Sequence, residues 1–275
     1  MGGSALKNKD APTPAPVMEP CEPGSVEHLA AIVIPARLAS SRLPNKVLLD
    51  WTGKPLIYHT IEAALRAEKA ADVGTVTPCK QIHETIVAGF KGRLLPLYSI
   101  TNAANGSHRV GVWVENFDAW DTYDVIVNLQ ADEPCIDPRD LDNLISACVV
   151  TGEICTLVCP LSQSDRTNPD VAKAWLRGDA IRDFSRAMIS GYCPMSAREH
   201  VGAYAFPRES FKRCLKGRIS QRAQEYRLEQ LTWLDAGQKI MAVALKHTPQ
   251  PISVNTPRDY ARFCEWYKQR QECST

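Results

Sequence analysis

The chain has 275 residues, 32 basic and 31 acidic side chains, a net charge of +1 and 44% hydrophobic residues. This ordinary globular composition excludes a general polyanion binder, since bulk nucleic-acid binding rests on excess Lys and Arg. It also excludes a membrane protein of helical type, because no apolar run approaches the roughly 18 residues of a span.

Residues 1–28 read as a disordered tail. Pro12, Pro14, Pro16, Pro20 and Pro23 alternate with small and charged residues, and such a segment buries too little to offset its ordering entropy. Residues 29–275 then form one domain in which strands and helices alternate. Ala31–Ala36 is a buried, β-branched strand. Lys54–Lys69 is a helix with Leu56, Ile57, Ile61 and Leu65 on one face. Strand Val73–Thr77, helix Lys80–Phe90, strand Leu94–Ile100 and helix Ser107–Phe117 follow. Tyr123–Leu129 is a second clear buried strand. Asp137-Pro138-Arg139-Asp140 opens the next helix with an N-cap, a first-turn proline and an acid. Strands are expected at Ile154–Cys159, Val171–Leu176, Gly202–Phe206 and Lys239–Leu245. Thr256-Pro257-Arg258-Asp259 caps the last helix, Tyr260–Gln271. The alternation predicts an α/β fold, a mainly parallel mixed sheet with helices on both faces. Ligands bind such sheets outside the carboxyl ends of the strands.

The ten cysteines are irregularly spaced with no C-x-x-C pair. A chain this long needs no disulfide scaffold, so they read as free thiols in a reducing, cytoplasmic compartment.

Two strand tips carry unusual chemistry. After the first comes Pro35-Ala36-Arg37-Leu38-Ala39-Ser40-Ser41-Arg42-Leu43-Pro44-Asn45-Lys46. Its three cations and hydroxyls can neutralise a triphosphate, although the Gly-rich pattern of a Walker loop is missing. The plainer alternative is a solvated surface loop. After Leu129 comes Gln130-Ala131-Asp132-Glu133-Pro134. A carboxylate there suits Mg²⁺, which prefers hard oxygen ligands; the alternative, helix capping, is already met by Asp137.

The first loop resembles the signature of the 3-deoxy-manno-octulosonate (KDO) cytidylyltransferases, I-P-A-R-x-x-S-x-R-L-P-x-K, at every fixed position. Q-A-D-E-P resembles the family's Q-G-D-E-P, with Ala131 for Gly. Val254-Asn255-Thr256-Pro257 resembles V-D-T-P, with Asn255 for the Asp. Asn105-Gly106-Ser107-His108-Arg109 is similar to N/S-G-T-E-R, Phe184-Ser185-Arg186-Ala187 to F-S-R-A, His200-Val201-Gly202-Ala203-Tyr204 to H-L-G-I-Y, and Leu228-Glu229-Gln230-Leu231 to L-E-Q-L. The resemblance covers about residues 31–270.

The resemblance implies a Rossmann-like nucleotidyltransferase fold with a sugar-side and dimerisation insertion at about 160–235. It implies transfer of CMP from CTP to a 3-deoxy-2-ulosonic acid, with Mg²⁺ and a homodimer. By the same resemblance Arg37 and Lys46 grip the phosphates, helped by Ala36, Ser40 and Arg42. Ser107 and Arg109 border the base. Asp132 and Asn255 hold the metal. Gln130, Arg186, His200 and Tyr204 face the acidic sugar, with Arg186 offering its carboxylate a bidentate fork. The departures, including Ala223 where the family has an acid, gather on the sugar side and point to an acceptor other than plain KDO. Two alternatives are a nucleotidyltransferase for another sugar or base, and a non-catalytic nucleotide-binding paralogue.

Overall fold

The structure, a computed structural model, describes residues 28–248 and 251–272. The expected tail lies outside them except for His28.

Four βα units build the first half. Strand β1 (Ala30–Pro35) leads to α1 (Leu56–Ala64), β2 (Asp72–Thr77) to α2 (Lys80–Gly89), β3 (Leu95–Tyr98) to α3 (Gly106–Asn116), and β4 (Val125–Leu129) to α4 (Pro138–Thr151). β1 pairs in parallel with both β2 and β4, and β2 with β3. Alternate residues of β1 serve opposite layers. Ile32 and Ile34 pack with Ile57 and Ile61 of α1, Ile86 of α2 and Leu141 of α4. Ala31 and Val33 pack with Val110 and Trp113 of α3. This period of two is what a strand covered on both faces requires. Trp113 seats against β2 because residue 74 is glycine: a Cβ there would lie 2.3 Å from the indole.

The second half adds β5 (Ile154–Pro160), β6 (Lys173–Arg177), β7 (Ala180–Ser185), β8 (Ala197–Pro207), α5 (Arg208–Lys216), α6 (Gln221–Tyr226), α7 (Gln230–Asp235), β9 (Ile240–Ala244) and α8 (Pro257–Glu272). The described residues form one nine-stranded sheet in the order β3-β2-β1-β4-β8-β5-β9-β7-β6. β8 runs antiparallel between β4 and β5, while β5 and β9 are parallel. The start of β8 also pairs with β6, so β8, β5, β9, β7 and β6 close on themselves.

Several expected boundaries shift. α1 stops at Ala64 rather than Lys69 because Arg66 N and Ala67 N turn back three residues, to Ala63 O and Ala64 O. β8 begins at Ala197, well before Gly202, because β5 and β6 both pair with its first half. β7 and the helices α5, α6 and α7 lie where the sequence reading places no element, although α5 is amphipathic, with Phe211 and Cys214 buried.

Asp137 caps α4, accepting from Arg139 N at 3.0 Å. Asp140 does something else. It is fully buried and accepts from Lys246 N (2.9 Å), His247 N, Thr248 N (2.6 Å) and the Thr248 hydroxyl (2.7 Å). One carboxylate thus anchors the segment that leaves β9. Asp140→Ala strands these donors, so it is expected to cost about 3 kcal/mol, a melting shift of about 6–10 °C in a domain of this size. Thermal denaturation followed by circular dichroism checks this; a shift under about 2 °C would remove the anchor role.

Candidate active site

The strand order reverses between β1 and β4, and a cleft of about 910 Å³ opens there at their carboxyl ends. The loop after β1 supplies Ala36, Arg37, Ser40, Arg42 and Lys46 to its wall, and the loop after β4 supplies Gln130, Asp132 and Glu133. Arg109, Arg186, His200, Tyr204, Glu229 and Asn255 line it as well.

Lys46 sits where three segments meet. Its ammonium bonds the Asp132 carboxylate and donates to Val254 O at 2.9 Å and to Asn255 Oδ1 at 3.5 Å. Asp132 and Lys46 are both largely buried, at 15% and 14% side-chain exposure, so solvent screens their attraction far less than at a surface. The segment 252–254 is held against the β4 tip by Val254 N to Asp132 O at 2.9 Å and by the Ser253 hydroxyl to Glu133 at 2.6 Å. Glu133 also accepts from Gly202 N at 2.8 Å. Burial, and then its neighbour Asp132, raise the Glu133 pKa. Gly202 has no room for a side chain, since a Cβ would lie 2.7 Å from Glu133 Oε1 and 2.8 Å from the Gln130 carboxamide.

Arg42 is exposed yet bridges the cleft. It pairs with Asp170 and donates to Asn255 Oδ1 at 3.1 Å. Asn255 therefore accepts from two cations of the first loop. The α8 start is a capping box, as expected: Asp259 accepts from Thr256 N at 2.8 Å, and the Thr256 hydroxyl accepts from Asp259 N at 3.2 Å.

On the third side, Asn105 caps α3 by accepting from His108 N at 2.9 Å. Arg109 lines the cleft one turn on. Burial, and then Arg37, lower its pKa. Ser107 is buried behind this wall rather than on it. Its hydroxyl accepts from Asn128 at 3.0 Å, and its backbone N donates to Glu229 at 3.1 Å.

His200 and Tyr204 are both buried on β8, with rings 5.1 Å apart and stacked. Burial, and then Arg186, push His200 down to about 3. It is a neutral ring whose Nε2 lies 3.0 Å from the Thr156 hydroxyl; that hydroxyl donates to Ala203 O at 2.8 Å. Nearby Glu199 is pushed up to about 7 by burial and by Asp165.

Arg186 lines the cleft with its fork already engaged. It donates to the carbonyls of Tyr226 (3.2 Å), Pro169 (3.1 Å), Asp170 (3.3 Å) and Arg227 (3.4 Å). A guanidinium has five N–H donors, so the expected bidentate grip on a carboxylate is not open to it as it stands. Asp170 and Lys173 received no role from the sequence. They lie just before and within the strand expected at Val171–Leu176, where no motif singles them out.

The described cysteines are all free, and among the described residues no helix is long and apolar enough to cross a membrane. Among the described residues there is also no group of three or more His, Cys, Asp or Glu able to hold a metal. The donors beside Lys46 are one carboxylate, Asp132, and one amide oxygen, Asn255. This set suits Mg²⁺, which binds through one or two carboxylates and completes its shell with substrate phosphates and water.

The sheet order, the switch-point cleft and the cation loop define the chain as an enzyme of nucleotidyltransferase type. The fold matches the solved CMP:2-keto-3-deoxy-manno-octonic acid synthetase complexed with CTP, with a TM-score of 0.76, 29% identity and coverage of 88% of this chain and 99% of that one. It also matches a putative glucose-1-phosphate thymidylyltransferase from Bacillus anthracis at a TM-score of 0.62 and 16% identity, covering 86% of this chain and 95% of that one, a likeness of fold alone. The cytidylyltransferase family model matches residues 31–240. The 3-deoxy-manno-octulosonate cytidylyltransferase of Anaeromyxobacter dehalogenans (strain 2CP-C) is 34% identical over 84% of this chain and 95% of its own length. That of Chlorobium phaeobacteroides (strain BS1) is 35% identical over 83% and 92%. The chain belongs to the cytidylyltransferase family.

Proposed function

We propose that the protein transfers CMP from CTP to the anomeric hydroxyl of a 3-deoxy-2-ulosonic acid, KDO or a modified KDO, and releases pyrophosphate. The observation that carries this reading is the junction of Lys46 with Asp132 and Asn255 at the switch point, in one cleft with Arg37, Arg42 and Arg109. Relatives named as KDO cytidylyltransferases and a CTP-bound structural neighbour support the choice of nucleotide and acceptor.

In this reading Arg37, Lys46 and Arg42, with Ser40 and the Ala36 backbone, hold the triphosphate. Their fixed charges balance the negative charge that builds on the phosphoryl oxygens and on the departing pyrophosphate. Catalysis of this kind is positioning plus electrostatic stabilisation. Arg109 borders the base, and Ser107 supports that wall from behind through Asn128 and Glu229. Asp132 and Asn255 would hold Mg²⁺, which lowers the pKa of an attacking hydroxyl and polarises phosphorus when bound. Gln130, His200 and Tyr204 face the acceptor, from walls supplied in part by residues 160–235. Arg186 shapes this end through the four carbonyls it holds and keeps one N–H for an acidic group. The sugar's hydroxyl displaces pyrophosphate directly, so no covalent intermediate forms and the thiols take no part. A cytoplasmic symmetric homodimer, the commonest closed assembly, is the proposed form.

The test is pyrophosphate release by the purified protein with CTP, Mg²⁺ and KDO or its amino analogues. The expected result is one pyrophosphate per CMP-sugar, with UTP and dTTP turned over at least about tenfold more slowly. CTP binding by calorimetry without turnover on any ulosonic acid would instead identify a non-catalytic nucleotide-binding protein. A clear preference for plain KDO would remove the modified acceptor.

A further inference from the structure

Lys173 is the first residue of β6 and is fully buried. It sits where β6 pairs with both neighbours, opposite Ser185 of β7 and Glu199 of β8. A buried lysine is costly unless its ammonium is satisfied. Here all three hydrogens have acceptors, and all three acceptors are backbone carbonyls: Asn168 O, Val171 O at 2.9 Å and Arg186 O at 2.8 Å. Two of these belong to the turn that enters β6; the third belongs to the residue that leaves β7.

Arg186 repeats the pattern one layer out. Its guanidinium takes the Pro169 and Asp170 carbonyls from the same turn, together with Tyr226 O and Arg227 O from the C-terminal end of α6. The consecutive carbonyls of residues 168–171 therefore all point at one of two cations. Asn168, Pro169, Asp170, Val171 and Arg186 line the cleft, and Asp170 carries the carboxylate that meets Arg42 of the phosphate loop.

We propose that Lys173 is a positioning residue for the acceptor end of the cleft, acting through the backbone of Arg186 and the 168–171 turn rather than by touching substrate. The physical reason is electrostatic. Three carbonyl oxygens converge on one point, and without a cation between them their dipoles repel. Removing the ammonium opens the turn, releases the Arg186 backbone and moves the wall that orients the acceptor. The triphosphate loop is tied down chiefly through Lys46, to Asp132 and Val254, and its link to the turn, the Arg42–Asp170 pair, is solvent-exposed and contributes little, so CTP binding is largely spared. This inference rests on the proposed transfer to an ulosonic acid.

The experiment compares wild type with Lys173→Gln, which keeps two donors, and Lys173→Met, which keeps none. KM for the acceptor and for CTP, and kcat, are measured by pyrophosphate release. CTP binding is measured by calorimetry, and folding by circular dichroism. The acceptor KM is expected to rise about threefold in Lys173→Gln and about tenfold or more in Lys173→Met, the scale of a sub-ångström misplacement. The CTP dissociation constant is expected to stay within about twofold. A folded variant whose acceptor KM is unchanged, or whose acceptor and CTP constants rise together, overturns the inference and leaves Lys173 a purely structural residue. If Lys173→Met does not fold, Lys173→Gln carries the same two outcomes. Absence of turnover in wild type would instead strike the proposed function itself.

Discussion

Asp132→Asn is expected to lower turnover of CTP with an ulosonic acid by about 10³-fold, the scale set by removing one preorganised group at a centre of developing charge. Asparagine keeps the shape of the side chain, so the cleft is not rebuilt. Lys46 loses its counter-charge but retains Val254 O and the Asn255 amide oxygen, which keep it in place. CTP loses a nearby negative charge while its Mg²⁺ would lose one ligand, two opposing effects, so its binding is expected to change little. The defect is therefore expected in kcat. Pyrophosphate release and CTP calorimetry on the same protein separate the two quantities. Retention of more than about a tenth of turnover would be incompatible with a role of this scale, and Asp132 would then be only the partner of Lys46.

Lys46→Met should act on the other quantity. The change removes one cation from the phosphate loop and leaves the Asp132 carboxylate, only 15% exposed, without its ion-pair partner. Both effects repel a triphosphate, one by subtracting positive charge and the other by uncovering negative charge. CTP affinity is expected to fall about 10²-fold, in the range measured when one partner of a buried charge pair is truncated. The loop also loses its tie to Val254, so some of the loss is positional. Calorimetry at fixed Mg²⁺ and low ionic strength reads this directly; a change of less than about threefold would place Lys46 outside the nucleotide site. The two variants together test the junction from both sides, since Asp132→Asn strikes the chemical step and Lys46→Met strikes binding.

Part of this molecule was readable before any coordinates. The apolar runs of β1 and β4, the helix between β1 and β2, and the caps at Asp137 and Thr256 depend on near neighbours along the chain, where side-chain period and hydrogen-bond geometry act directly. So does the grouping of Arg37, Arg42 and Lys46, which lie within ten positions on one strand-to-helix connection. The placement of Asp132 opposite them followed from one rule: two parallel strands on either side of a switch point end at the same crevice.

Other contacts had no local trace. Arg42 meets Asp170 across 128 positions and Asn255 across 213. Asp140 looked like a first-turn acid and became the anchor of a segment 106 positions away. Ser107 belongs to a nucleotide-side motif, yet its hydroxyl turns inward to Asn128. Arg186 matched a carboxylate-binding pattern, while packing committed its fork to four carbonyls. Nothing in the sequence singles out Lys173, which the closure of β6 onto β8 buries.

The amino-acid order alone determined the kind of most elements up to β6, the α/β class and which side chains carry the charge, because those properties follow from patterns a few residues long. The tertiary structure alone decided which of those charges meet and which are already spent on backbone. Strand order and the antiparallel insertion of β8 set those distances, and no short-range period encodes them.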